Sequence, residues 1–238
     1  AELAAMRRVG MQELQIGIEA LSTSLLKKLR KGTTAIQNLE IMRNCEALGI
    51  ANKSNLILLF PGSDEKDVAE TLRSLEFALP YRPLQTVDFW LALGSPVWQN
   101  PGAYGIKAVF NHPNWSRLFP AEIFRSMEFM IQGYRGDLGL QKKIWQPVKK
   151  KVALWQKIYA APQRGSRMSP VLSFRDGRKF LIIKQRQHQA DSIKHRLAGT
   201  SRLIYLFCMH HRTARQIRNR FPAFAEDKIV GFLTMMVD

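Results

Sequence analysis

The apolar positions change period several times between residues 10 and 91. Residues 14–18 are mostly apolar and short, which reads as a buried strand. Residues 22–30 and 34–48 read as helices. In the second, Ile36, Leu39, Met42 and Cys45 recur at steps of three, and Gly49 is a stop signal. Residues 55–60 form a second apolar strand, ended by Pro61 and Gly62. Ser63 or Asp64 caps a helix whose core face is Val68, Leu72, Leu75 and Leu79. Pro80 and Pro83 end that helix, and residues 86–91 read as a third strand. Apolar strands alternating with helices predict a parallel sheet covered by helices. Three strands cannot close a barrel, so the expectation is α/β: part of a (β/α) barrel or of an open sheet.

Residues 94–140 break this rhythm. Pro96, Trp98, Pro101, Tyr104, His112, Pro113, Trp115, Phe119, Pro120 and Tyr134 make a long, aromatic, turn-rich excursion from a strand end. Excursions of that length are usually functional. Residues 141–160 return to helix, with Ile144, Val148, Val152, Trp155 and Tyr159 on one side and lysines on the other. After a loop at 161–170, residues 171–175 and 179–185 flank Asp176-Gly177 and read as a β-hairpin. Helices are expected at 199–210, 213–220 and 226–237, with Thr213 as an N-cap. A hairpin with three short helices suggests a small winged-helix-like α+β domain. The expected organisation is therefore 1–93, 94–160 and 161–238.

Composition sharpens this picture. Apolar residues make up 46% of 238 and aromatics 10%, which is enough for a core and excludes a disordered chain. No run of about 18 apolar residues exists, so no membrane span is expected. No secretory signal pattern is visible, and Cys45 and Cys208 stand alone, so a disulfide framework is excluded and a reducing cytoplasm is expected. The net charge is +17 and uneven. Residues 1–90 hold 11 basic and 11 acidic residues, whereas residues 91–238 hold 25 and 8. That skew points to an acidic partner: nucleic acid, an acidic peptide or a phosphate-bearing ligand. A merely solubilising basic surface is the plainer alternative.

Candidate chemistry gathers at strand ends, because ligands bind at the carboxyl ends of parallel strands. Glu19 follows the first strand, Lys31 follows one helix later, and Asn55 opens the second strand. A carboxylate, a cation and an amide suit a zwitterionic ligand carrying a ribose; a surface ion pair is the bland alternative. His210 and His211 are adjacent on an expected helix and diverge by about 100°, a poor metal pair. His188 and His195 fall in an expected basic linker. His112 stands among the aromatic residues, where it could serve substrate binding, acid–base chemistry or structure. Trp98, Tyr104, Trp115 and Tyr134 could form a lid over a dry cavity, or the core beneath the excursion. Arg215, Arg218 and Arg220 lend the last helices a DNA-binding look. Residues 226–237, however, are too apolar to touch base edges.

The strings QIGIEALSTSLLKKLRKGTTAIQNLEIMRNCEALGI and NLILLFPGSDEKDVAETL resemble the second half of a radical S-adenosylmethionine core. FWLALGSPVWQNP, YGIKAVFNHPNW, QGYRGD and HRLAGTSRLIYLFC resemble, more narrowly, the cobalamin-dependent branch that matures ribosomally made peptides. The resemblance covers nearly the whole chain. It implies that Glu19 contacts the ribose or amino group of S-adenosylmethionine, that Lys31 meets its carboxylate, that Asn55 approaches the ligand and that Ile57 packs near the adenine. Many such enzymes carry Gly where this chain has Leu59. The family also needs a CxxxCxxC motif for a [4Fe-4S] cluster, which Cys45 and Cys208 cannot supply, and a preceding cobalamin domain.

The chain is accordingly expected to be a C-terminal portion, cut at both ends and inactive alone. The implied reaction is C-methylation of a peptide. The cluster cleaves S-adenosylmethionine, the 5′-deoxyadenosyl radical takes a substrate hydrogen, and methylcobalamin supplies the methyl group. Small winged-helix-like domains in such systems bind an acidic leader peptide along the hairpin edge, a reading preferred here over nucleic acid.

Overall fold

The computed structural model describes residues 2–160, 171–185 and 192–237. The chain divides into two compact units, Ala1–Tyr159 and Ala160–Asp238. It is mixed α/β with small sheets, and the described residues form no closed barrel. No helix among them is long and apolar enough to cross a membrane.

The first unit begins with α1 (Glu2–Arg8), β1 (Glu13–Leu14), α2 (Thr23–Lys28), α3 (Ala35–Leu48), β2 (Ala51–Asn52), β3 (Asn55–Leu58), α4 (Glu65–Ala78) and β4 (Gln85–Asp88). The β-strand pairs are parallel: β1 with β2, β3 with β4, and a single bridge joins Glu19 to Leu56. The expected strand at 14–18 is shorter than its apolar run. Leu14 pairs with Asn52 and Glu19 with Leu56, so the first strand carries one residue more than its partner between those points. That extra residue bulges, and ladder pairing stops. The orphaned Ile16 N–H donates instead to Ser54 Oγ at 3.1 Å.

The cap expected at Ser63 or Asp64 is Asp64, whose side chain accepts the Lys66 and Asp67 N–H groups, and Thr213 caps its helix as expected. Ser22 and Thr34 also accept a backbone N–H at an N-terminus, and Gly49 closes α3 with φ 64°. The buried face of α3 differs from the expected one. Ile36 is 53% exposed, and the buried side of α3 is Ala35, Asn38, Met42 and Cys45. Nine residues at 100° each put Ile36 opposite Cys45, so repeated steps of three drift off one face.

Residues 94–140 are not an irregular excursion. They hold α5 (Pro96–Gln99), β6 (Ala108–Asn111), α6 (Ala121–Ser126) and β7 (Ile131–Arg135), with β5 (Leu91–Ala92) just before. The three strands form an antiparallel sheet in the order β5-β7-β6. Phe110 lies opposite Gly133, and a Cβ on Gly133 would stand 2.5 Å from the Phe110 ring. Only glycine admits that ring. The expected helix at 141–160 is two helices, α7 (Leu138–Ile144) and α8 (Gln146–Ala160).

Trp145, Val148, Val152 and Trp155 join Ile18, Leu56, Leu58 and Leu75 in one core. Trp155 Nε1 donates to Tyr81 O at 3.1 Å, and Trp145 Nε1 to Ser63 Oγ at 2.9 Å. Gln141 completes that buried group by donating to Ser63 O at 2.8 Å. A buried indole N–H needs such a partner.

The second unit has β8 (Leu172–Asp176), β9 (Phe180–Gln185), β10 (Ile193–Ala198), α9 (Gly199–Phe207), α10 (Ala214–Arg220) and α11 (Glu226–Met235). The hairpin exists, but a third strand, β10, covers the outer side of β9. Leu181, Ile183 and Leu197 face Tyr205, Leu206, Phe232 and Met236. His195, expected in a linker, sits in β10, while His188 lies outside the described residues. His210 and His211 lie beyond the end of α9, not on it; Cys208 already serves as its C-cap.

Candidate functional site

Glu19 emerges where the first parallel line is interrupted. Its φ is 59°, the left-handed region. Asn38 of α3 holds this bend from the core side, its amide donating to Ile18 O and Ala20 O at 2.9 Å each. Glu19 O accepts from Ile57 N at 2.8 Å, which fixes the bend onto β3. Glu19 Oε1 then pairs with Lys31 Nζ at 3.1 Å, the side chains being 21% and 36% exposed. Gly17 lies beneath them: a Cβ there would meet Glu19 Oε1 at 3.6 Å and Lys31 Nζ at 3.9 Å.

Asn55 and Ile57 alternate with buried Leu56 and Leu58, so they share the other face of β3 and are half-buried. Their partners across the sheet are Gln85 and Val87, both exposed. Asn55 makes no side-chain hydrogen bond among the described residues. The four residues singled out from sequence therefore fall in two adjoining groups. Glu19 and Lys31 touch each other, and Asn55 and Ile57 flank the residue to which Glu19 is bridged. Gly17 and Val87 were not anticipated. The isolated glycine in the apolar string IGI was the available signal for the first.

Leu59 has φ 59° and is buried. Left-handed backbone there is what a glycine would supply freely, so the departure noted from sequence carries a backbone cost of about 1 kcal/mol. The next ring, Phe60, stacks edge-on against Phe89 at 5.1 Å and Tyr104 at 5.7 Å, and Phe89 meets Tyr134 at 6.2 Å. Trp115 stacks on Phe129 at 5.0 Å and donates to Ile131 O at 2.8 Å. Tyr104 and Trp98 pack against the main core. Trp115 and Tyr134 also line a cavity of about 620 Å³ beside Leu59 and the end of β4, as does His112. The aromatic residues thus act as core and as cavity wall at once. Burial, with the carboxylates of Asp137 and Asp88 nearby, raises the Tyr134 hydroxyl above its ordinary pKa.

Cys45 is buried on α3, and burial raises its thiol pKa; the same holds for Cys208 in the other unit. At Cys208 burial outweighs the nearby Arg212 cation, so neither thiol is shifted toward a reactive thiolate. No group of three His, Cys, Asp or Glu able to hold a metal ion occurs among the described residues.

In the second unit, alternation along the strands sends Ile182 and Lys184 of β9, Lys194 and Arg196 of β10, and Arg175 of β8 to the face opposite the core. Lys184 lies directly across from Lys194. Arg196 rests over the Phe180 ring at 4.8 Å. Like charges side by side cost stability in the free protein. No family model, curated protein or solved structure matches this chain.

Proposed function

We propose that this chain is the C-terminal portion of a radical S-adenosylmethionine enzyme, cobalamin-dependent, that C-methylates a ribosomally made peptide. The reading belongs to the resemblance of its strings, and one observation supports it most. The carboxylate–ammonium pair of Glu19 and Lys31 stands over a glycine, at a bulge in a parallel strand, next to the strand that carries Asn55, whose side-chain amide has no hydrogen-bond partner among the described residues. Its donor set fits the ligand. Lys31 would meet the methionine carboxylate, and Glu19 the amino group or ribose. Asn55 would bind a further polar edge, and Ile57 and Val87 would offer an apolar face for adenine. When bound, S-adenosylmethionine supplies the radical chemistry and cobalamin the methyl group, with the cluster thiolates and cobalamin fold contributed from outside these 238 residues. The chain's own residues orient the ligand and keep water away from it.

The test is titration of S-adenosyl-L-homocysteine into the chain by calorimetry or ligand-observed NMR. Saturable sub-millimolar binding is expected, weakened at least tenfold in Glu19→Ala and Lys31→Ala. Binding unchanged in both variants, or none at all, overturns the reading.

The leader-peptide role falls to the second unit. Among the described residues, β8 is the hairpin strand with an open edge, since β10 pairs with β9. An acidic leader would add along β8 or β10, steered by Lys184, Lys194, Arg175 and Arg196. The same cations favour a second reading, a non-catalytic module that holds acidic peptide or nucleic acid. Salt-dependent binding of an oligonucleotide in preference to a Glu-rich peptide would support that alternative.

A further inference from the structure

The cavity of about 620 Å³ opens at the carboxyl ends of two parallel strands, beside Leu59 after β3 and Phe89 after β4. Its size is within the range of pockets that enclose a small ligand or a large side chain with its flanking backbone. Its lining is chiefly apolar. Phe89, Leu91 and Leu138 belong to the core, whereas Trp90 and Leu118 line the cavity yet remain 69% and 70% exposed. Large apolar groups kept in water at a concave site are the usual anchors of recognition. Phe110 and Gly133 both line it, and the missing side chain of Gly133 lets the Phe110 ring lie across β7, which sets the width.

The polar groups of the lining give a sign. Asp88 is neutralised by Lys149 at 3.1 Å. Lys142, also in the lining, has no acidic partner among the described residues. His112 Nδ1 accepts from Asn114 N at 3.2 Å, so the neutral ring carries its proton on Nε2, as a donor. The cavity therefore combines aromatic walls with one uncompensated cation and a ring donor, and an anion is the complementary ligand.

We propose that this cavity binds a peptide segment presenting a large apolar, preferably aromatic, side chain next to a carboxylate. The pocket stands on its own walls; that the peptide is the enzyme's substrate rests on the function proposed above.

Tryptophan fluorescence of the whole chain, with Trp90 and Trp115 in the lining, reports binding of four probes. N-acetyl-L-phenylalanine is expected to saturate, and its amide to bind about two- to fivefold more weakly, as suits an exposed lysine. N-acetyl-L-alanine should not saturate over the same range, and octanoate should bind more weakly than the phenylalanine acid. Lys142→Met should erase the acid-over-amide preference without abolishing binding, and Leu118→Asp should weaken both. No saturable binding, or a preference retained in Lys142→Met, overturns the proposal. Octanoate binding tightest would assign the pocket to a fatty acid and overturn the peptide. S-adenosyl-L-homocysteine is titrated into the same samples. Pocket binding lost with that titration intact removes only this inference, and the converse removes only the enzyme reading.

Discussion

Replacing Asn38 by Leu tests how Glu19 is held. The volume is nearly conserved, but two amide donations are lost, to Ile18 O and Ala20 O at 2.9 Å each. Asn38 is 5% exposed, and Ile18 and Ala20 are 0% exposed, so water cannot easily replace it. Ile18 O also accepts from Ala20 N, which softens its loss. At about 1–3 kcal/mol per buried group left without its partner, the expected destabilisation is about 2–4 kcal/mol. For a unit of this size that lowers the melting temperature by roughly 2–4 °C per kcal/mol. All five tryptophans lie between residues 90 and 155, so urea unfolding followed by tryptophan fluorescence reads the first unit alone. The Ile57 amide, donated to Glu19 O, should exchange faster with solvent in the variant, because the bend it fastens to has loosened. A cost below about 0.5 kcal/mol, with exchange at Ile57 unchanged, would show that the bend is fixed by β3 alone and that Asn38 only fills space.

Other expectations are equally concrete. Glu70 accepts from Ser22 Oγ and Thr23 N at 2.8 Å, capping α2 from another helix. Burial would raise its pKa, but these donors outweigh it and hold the carboxyl below its ordinary value. Its contribution is thus present above the unfolded pKa of about 4.3 and lost as pH falls through the lower folded value. The stability gap between wild type and Glu70→Gln should be full at pH 7 and narrow on acidification below 4; a gap independent of pH refutes the assignment. Lys28→Met removes the cation paired with the fully buried Asp67 carboxylate, leaving it the Asp64 N–H donor, and should cost about 3–5 kcal/mol in urea unfolding. Adding Asp67→Asn should recover part of that loss, and an additive double variant would deny the coupling. Gly133→Ala should destabilise by about 1–3 kcal/mol through collision with the Phe110 ring, with Phe110→Leu in the same chain restoring most of it.

Much of this architecture could be read in advance because it is local. Caps at Asp64 and Thr213 depend on a side chain reaching three residues ahead, and the apolar runs at β3 and β9 depend on strand period. What escaped is non-local. The bulge before Glu19 follows from register against β2 and β3, which no single run reveals. β10 reads as linker because His195, Arg196 and Lys194 are polar; it is a strand because β9 offers it an edge. The sheet β5-β7-β6 joins segments separated by turns, and its aromatic residues fit either loop or core until Gly133 is set opposite Phe110. Strand-end logic brings Glu19 and Lys31 together from the sequence, and they do pair. The cavity beside Leu59 is assembled from five stretches of chain and had no signature in any one of them.

The buried knot of Ser63, Gln141 and Trp145 joins positions up to 82 residues apart, and Trp155 closes the same core from later still. On a ribosome, those partners reach the growing chain long after β4 has emerged. At about 5–20 residues per second, some 60 further residues take roughly 3–12 s. For that interval the part of the core that Trp145, Val148, Val152 and Trp155 complete is open, although α2 and α3 are already present to pack on α4. The nascent protein therefore spends seconds with one side of its main core unsealed, a hazard that ends when Trp145 and Trp155 arrive.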